Sequence, residues 1–233
     1  MTHSILVTDS GLGGLSVFND IARRLEKESP WEQVRLTYVN AWPAPHRGYN
    51  HYPTPEKKAE VFNNAMEAMA AYEPDRILIA CNTLSVVYTE TRFARTTRIP
   101  VEGIVDHGVR MLHKRLDADP GSKAVIFGTP TTAEARSHEK GLVDLGTDKN
   151  RIITVACTNL AGYIEREPFS TKVADTIEGF VKETADRLNG SGGRVYAGLC
   201  CTHFGYRKAL FSQAFQNHFK GCAALLNPSE RMA

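Results

Sequence analysis

The sequence predicts an α/β protein of two similar halves, each a mostly parallel sheet flanked by helices. Three observations carry this. Apolar, β-branched runs alternate with amphipathic stretches, the signature of strand–helix–strand units with right-handed crossovers. The alternation starts again after the middle of the chain. The runs Arg76–Ala80 and Arg194–Cys200 end alike, in Cys81–Asn82–Thr83 and Cys201–Thr202–His203.

Ser4–Asp9 reads as a buried strand, followed by the turn Gly11–Leu12–Gly13–Gly14 and a helix to about Leu25. Val34–Val39 is the second strand. Pro43 to Pro55 is a long loop rich in Pro, His, Tyr and Asn. Glu56 to Tyr72 carries Val61, Ala65, Met66, Met69 and Ala70 at helical spacing. Arg76–Ala80 is a strand, Leu84 to Arg95 a helix and Val101–Val105 a strand. The second half opens with the strand Lys123–Phe127, and Thr129–Pro130–Thr131–Thr132 starts a helix to about Leu145. Arg151–Val155 follows as a strand, then helices over Leu160–Glu165 and Val173–Leu188. Gly190–Gly193 is a short turn. Arg194–Leu199 is a strand, Tyr206 to about Phe219 a helix and Ala223–Leu226 a last strand with no helix after it.

The chain has 233 residues, 42% hydrophobic and 23% charged, with a net charge of +2. This is ordinary globular usage. No Lys/Arg block points to nucleic acid or an acidic membrane surface. No apolar run is long enough for a membrane span, and Met1 to Ser10 does not read as a signal peptide. The five cysteines, at 81, 157, 200, 201 and 222, lack the spacing of a disulfide scaffold, so a reducing, cytoplasmic setting is expected.

Ligands of open parallel sheets bind at the carboxyl ends of strands. Cys81 and Cys201 are expected at that edge, one from each half, as a reactive sulfur on either side of a substrate. Each precedes a predicted helix, so partial thiolate character is expected of both. A lone buried cysteine is usually a small hydrophobe; two in matched context suit inversion of a carbon stereocentre, where one thiol removes a proton and the other returns one to the opposite face. Asp9–Ser10–Gly11–Leu12–Gly13–Gly14 could let backbone N–H groups approach an anion and place Asp9 to relay the Cys81 proton, or be a plain turn with an acidic cap. It is no dinucleotide fingerprint, because Asn40 stands where an acidic residue would hold a ribose. His203 could serve Cys201 as Asp9 serves Cys81, or pack near a helix start. Cys200, Cys201 and His203 lack a fourth ligand and C-x-x-C spacing, so no metal is expected. Cys200 should point to the opposite side of its strand from Cys201, and Cys157, Cys200 and Cys222 read as core.

Together these loops resemble the aspartate/glutamate racemase superfamily. Asp9 to Gly14 matches its D-S-G-x-G-G, Ala80 to Thr83 its A-C-N-T, Cys201 to His203 its C-T-H, and Thr129 to Thr132 its T-x-x-T turn. Ala156–Cys157, with Glu165 eight residues on, matches a further segment. The resemblance implies two pseudosymmetric domains, 1–98 with 222–233 and 99–221, with the active site in the cleft between them. It implies cofactor-independent racemisation, with Cys81 and Cys201 as the acid/base pair and Asp9, His203 and Glu165 tuning them. Ser10, Asn82, Thr83, Thr132 and Thr202 would hold the substrate's carboxylates and amine, as would Pro45, His46 and Gly48 in the loop after the second strand. The expected partner is a small carboxylate or amino acid; a homodimer and a place in cell-wall biogenesis stay open.

The sequence departs from the family in that same loop, with Asn40–Ala41, Trp42 and Pro45–His46–Arg47–Gly48, and again at Phe204–Gly205 and His107–Gly108. The acid/base residues match while the specificity loops differ. Glutamate or aspartate is the expected substrate. Two alternatives remain: an isomerase or decarboxylase of a dicarboxylate using one cysteine, and a binding or regulatory relative.

Overall fold

The computed structural model of the chain describes residues 2–44, 47–188, 193–219 and 223–233. The chain divides into two units, Met1–Ile104 with Met232–Ala233, and Val105–Arg231. The first holds β1 (Thr2–Asp9), α1 (Leu15–Glu28), β2 (Gln33–Asn40), α2 (Pro55–Ala70), β3 (Arg76–Ile79), α3 (Asn82–Tyr88), α4 (Arg92–Thr96) and β4 (Val101–Gly103). A single 3-10 turn, Tyr49–His51, lies in the loop before α2. The helix α5 (Ile104–Asp117) leads into β5 (Lys123–Gly128), α6 (Pro130–Ala135), α7 (Ser137–Asp144), β6 (Ile152–Ala156), α8 (Leu160–Arg166), α9 (Thr171–Leu188) and β7 (Val195–Cys200). Then come α10 (Thr202–Gly205), α11 (Lys208–His218), β8 (Ala223–Leu226) and α12 (Ser229–Met232).

The strand order is β2-β1-β3-β4 in one sheet and β6-β5-β7-β8 in the other, and every pairing is parallel. The two sheets therefore repeat one topology. In each, the first strand lies between the second and third, so successive crossovers leave it in opposite directions. That reversal opens a crevice at the carboxyl ends of β1 and β3, and of β5 and β7, where α/β sheets bind ligands.

Each sheet is held by the helix faces laid on it. Val7, Val17, Ile21, Ala80 and Ile104 form a buried cluster of the first unit. In the second, Phe127, Leu160, Val173, Ile177, Phe211 and Phe215 pack on one face. Leu112, Leu116, Ile126, Leu142 and Tyr196 pack on the other. Burying side chains of this size contributes about 1.5–3 kcal/mol each.

Several elements differ from the sequence reading. β8 pairs with β7, so residues 223–226 complete the second sheet instead of returning to the first unit. Only Met232 and Ala233 return. The expected boundary at 98/99 moves to 104/105 because β4 pairs with β3. Residues 104–117 form a helix, whereas the sequence predicts a strand as far as Val105 and no helix after it. Ile104 and Val105 look strand-like, yet Val109, Leu112 and Leu116 recur at helical spacing and are buried. The helix expected to run to Leu145 breaks at Arg136, which takes φ 52° and pairs its guanidinium with Glu139 at 2.6–2.9 Å. A short helix also follows the last strand. The Gly190–Gly193 turn, apart from Gly193, and Cys222 lie outside the described residues.

Candidate active site

At the crevice of the first unit, β1 ends in Asp9, fully buried, and β3 leads into Cys81. Cys81 is the N-cap of α3: its sulfur accepts the backbone N–H of Leu84 at 3.4 Å. It also lies 3.2 Å from the Ser10 hydroxyl. The glycine turn is a packing device here. A Cβ on Gly14 would stand 2.7 Å from the Asp9 Cβ and 3.0 Å from its Oδ2, so only glycine lets α1 start against that carboxyl group. Tyr38 of β2 pins the turn by donating its hydroxyl to the Gly11 carbonyl at 2.6 Å.

The Cys81 thiol is pushed up to about 12 by burial and by the Asp9 charge, against weaker opposing hydrogen bonds from Ser10 and Leu84. This corrects the expected partial thiolate for Cys81. A single N–H at the start of a seven-residue helix does not outweigh desolvation plus a neighbouring carboxylate. Cys81 rests as a thiol.

In the second unit, Cys201 follows β7 and opens the four-residue α10 without any side-chain capping bond. Its sulfur lies 3.9 Å from His203 Nδ1. The far side of that ring, Nε2, bonds the Glu165 carboxylate of α8. A carboxylate can only accept from Nε2, which leaves Nδ1 of the neutral ring able to take a proton from the sulfur. Sulfur, imidazole and carboxylate thus form one chain. Thr129 caps α6 by accepting the Thr132 N–H at 3.3 Å, and the two hydroxyls lie 3.0 Å apart. The T-x-x-T turn therefore has a structural role of its own.

The structure thus brings Asp9, Ser10, Cys81, Asn82 and Thr83 to the crevice end of the first sheet, and Cys201, Thr202, His203 and Glu165 to that of the second. Thr132 lies on α6, directly after β5. Asn82, Thr83, Thr132 and Thr202 are all buried. Gly48 packs on Trp42, where a Cβ would come within 3.1 Å of the indole. Pro45 and His46 lie outside the described residues. Cys200 falls in the cluster with Leu112 and Leu142, Cys201 in the one with Leu160 and Phe211, so the two thiols do point to opposite faces. Cys81 and Cys201 keep 5% and 6% exposure, against 1% for Cys157 and 0% for Cys200. Burial, with neighbouring thiols, pushes the Cys157 and Cys200 thiols up. Among the described residues, no three His, Cys, Asp or Glu side chains converge as metal ligands, and no helix is long and apolar enough to cross a membrane. Tyr49 is the site-adjacent residue that the sequence reading missed. Its only signal was an aromatic residue inside a polar loop.

Two parallel α/β units of one topology, each bringing a cysteine and an ionisable neighbour to the carboxyl end of its sheet, define an internally duplicated thiol protein. The sequence profile of the Asp/Glu/Hydantoin racemase family matches residues 5–226, and the chain belongs to that family. It is 24% identical over 221 residues to a glutamate racemase of Synechocystis sp., covering 92% of this chain and 70% of the relative. It is 28% identical over 198 residues to one from Streptococcus pneumoniae, covering 84% and 67%. Glutamate racemase isoform RacE1 from Bacillus anthracis shares the fold with a TM-score of 0.77 at 21% identity, covering 99% of this chain and 78% of that one. The aspartate racemase of Picrophilus torridus aligns with a TM-score of 0.58 at 15% identity, covering 98% and 89%. Relatives so named are isomerases.

Proposed function

We propose that this protein is a cofactor-independent amino-acid racemase acting on an acidic amino acid such as glutamate or aspartate, with Cys81 and Cys201 as its acid and base. One observation carries the reading: each thiol has its own proton partner, Asp9 at Cys81 and the His203–Glu165 pair at Cys201. Family membership and the names of the relatives support it.

The steps follow from the two environments. A racemase starts each turnover with one thiol and one thiolate. Cys81, with its raised pKa, is the resting acid. Cys201 passes its proton to His203, removes the Cα proton from one face, and Cys81 protonates the other face. Charge builds on the substrate carboxylate during the transfer, so donors fixed beforehand lower the barrier. Ser10, Asn82, Thr83, Thr132 and Thr202 supply hydroxyl and amide groups that hold the substrate's carboxylates and amine. In the reverse direction Cys81 becomes the base and Asp9 takes its proton.

The test is Cα deuterium incorporation in D₂O across D- and L-amino acids, glutamate and aspartate first. Cys81→Ser and Cys201→Ser should each lower exchange by about a thousand-fold or more. Full activity in both variants overturns the reading. The Cys201–His203–Glu165 chain also fits a nucleophile, its base and an orienting group, as a one-cysteine isomerase or decarboxylase of a dicarboxylate would use. In that case mass spectrometry would trap a covalent adduct on Cys201, and Cys81→Ser would stay active.

A further inference from the structure

Tyr49 is a buried polar side chain with no part in the steps above. It is 2% exposed. Its ring stands edge-on to Phe62, centroids 6.0 Å apart, and tilted against Tyr52 at 6.3 Å. A phenylalanine would make both contacts equally well, so packing does not explain the oxygen. That oxygen is buried and has no hydrogen-bond partner among the described residues, a costly state for a phenol. Burial and the nearby Cys81 raise its pKa, so the hydroxyl stays protonated and is a donor. No hydrogen bond joins it to the sulfur among the described residues.

A second atom near the same sulfur is in the same state. Asn82, the residue after Cys81, is 2% exposed, and its Oδ1 is buried without a partner among the described residues. Among the described residues, then, one buried donor and one buried acceptor near Cys81 have no hydrogen-bond partner. An α-amino acid supplies both complements: a carboxylate that accepts from the phenol and an ammonium that donates to the amide oxygen.

The loop is built to hold Tyr49 there. Trp42 leans on Gly48 so closely that a Cβ would stand 3.1 Å from its ring. The 3-10 turn Tyr49–His51 then begins, and its first side chain goes into the core against Phe62.

We propose that Tyr49 is a specificity-determining substrate contact: its hydroxyl donates to a carboxylate oxygen of the amino acid whose ammonium faces Asn82. This gives the divergent loop after β2 a function, and it rests on the racemase reading only for the identity of the ligand.

Tyr49→Phe removes one oxygen and keeps the ring. With glutamate and aspartate as substrates, it should raise KM about ten-fold with a smaller change in kcat, while the melting temperature holds or rises. Tyr52→Phe, the neighbouring ring, should leave KM within two-fold. A KM within two-fold of wild type in Tyr49→Phe overturns the proposal. Should wild type exchange no Cα proton, the racemase reading falls by itself. The Tyr49 contact is then decided by calorimetric binding of glutamate and aspartate: about ten-fold weaker binding to Tyr49→Phe supports it. Equal affinity, or no binding to wild type, overturns it.

Discussion

The loops that carry Cys81 and Cys201 stand at the same position in two sheets of one topology, yet they manage a thiol proton differently. Around Cys81 everything is fixed. The sulfur caps a helix, touches the Ser10 hydroxyl and sits beside a fully buried Asp9. The sum of burial and negative charge keeps it a thiol. Around Cys201 the capping bond is absent, and the neighbour is an imidazole backed by a carboxylate. Duplication of a fold thus copies the place of a reactive group, while the proton partner is set by single residues at the ends of neighbouring elements. The charge of a carboxylate makes the neighbouring sulfur hold its proton more tightly. An imidazole with one nitrogen held by a carboxylate can accept the proton of a neighbouring thiol at the other.

The largest expected effect separates the two partners. Asp9→Ala and His203→Ala should each slow Cα exchange by about 100- to 1000-fold. Added imidazole should restore part of the rate in His203→Ala alone, and rescue of both or of neither would break the contrast. A smaller effect concerns stability and falls in the second unit. His138 of α7 is buried, and neither ring nitrogen has a partner among the described residues. Desolvation lowers its pKa to about 4. An unfolded histidine binds its proton near pH 6.5, so between there and pH 4 the unfolded chain holds a proton that the folded one excludes. Stability is therefore full above about pH 6.5 and falls on acidification, by about 2 kcal/mol at pH 5. Urea melts of wild type and His138→Leu at pH 7 and pH 5 should show the variant losing less on acidification. The smallest effect sharpens the Cys81 side. The Ser10 bond lowers the Cys81 pKa, so Ser10→Ala should raise it further, at a cost of about 1 kcal/mol. Alkylation of Cys81 by iodoacetamide should then need a higher pH, and an unchanged pH profile would remove Ser10 from the account.

The fold was legible wherever a strand was buried on both faces. Leu6 and Val7, Val125 to Phe127, and Ala197 to Leu199 are nearly inaccessible, and such runs stand out as apolar sequence. α5 was not legible, because its β-branched start and Gly108 imitate a strand and a turn, while its regular stripe of Val109, Leu112 and Leu116 follows only afterwards. The membership of β8 was hidden for another reason. Ala223–Leu226 names no partner strand, and pairing with β7 is a long-range choice made by the backbone ladder. Within the candidate site, the cysteines, Asp9 and His203 were readable because each ends a strand or starts a helix. Tyr49 was not, since burial of a loop side chain against Phe62 leaves no periodic mark.

The order of residues alone determined that two apolar strands would each end in a cysteine followed by a small polar residue, because strand periodicity and helix-start chemistry are local. Tertiary structure alone decided how each sulfur holds its proton. The thiol pKa of Cys81 depends on the desolvation and charge supplied by Asp9, and the path from Cys201 runs through His203 to Glu165, 38 residues away in the chain. Those energies exist only when distant segments are folded into contact and water is excluded between them.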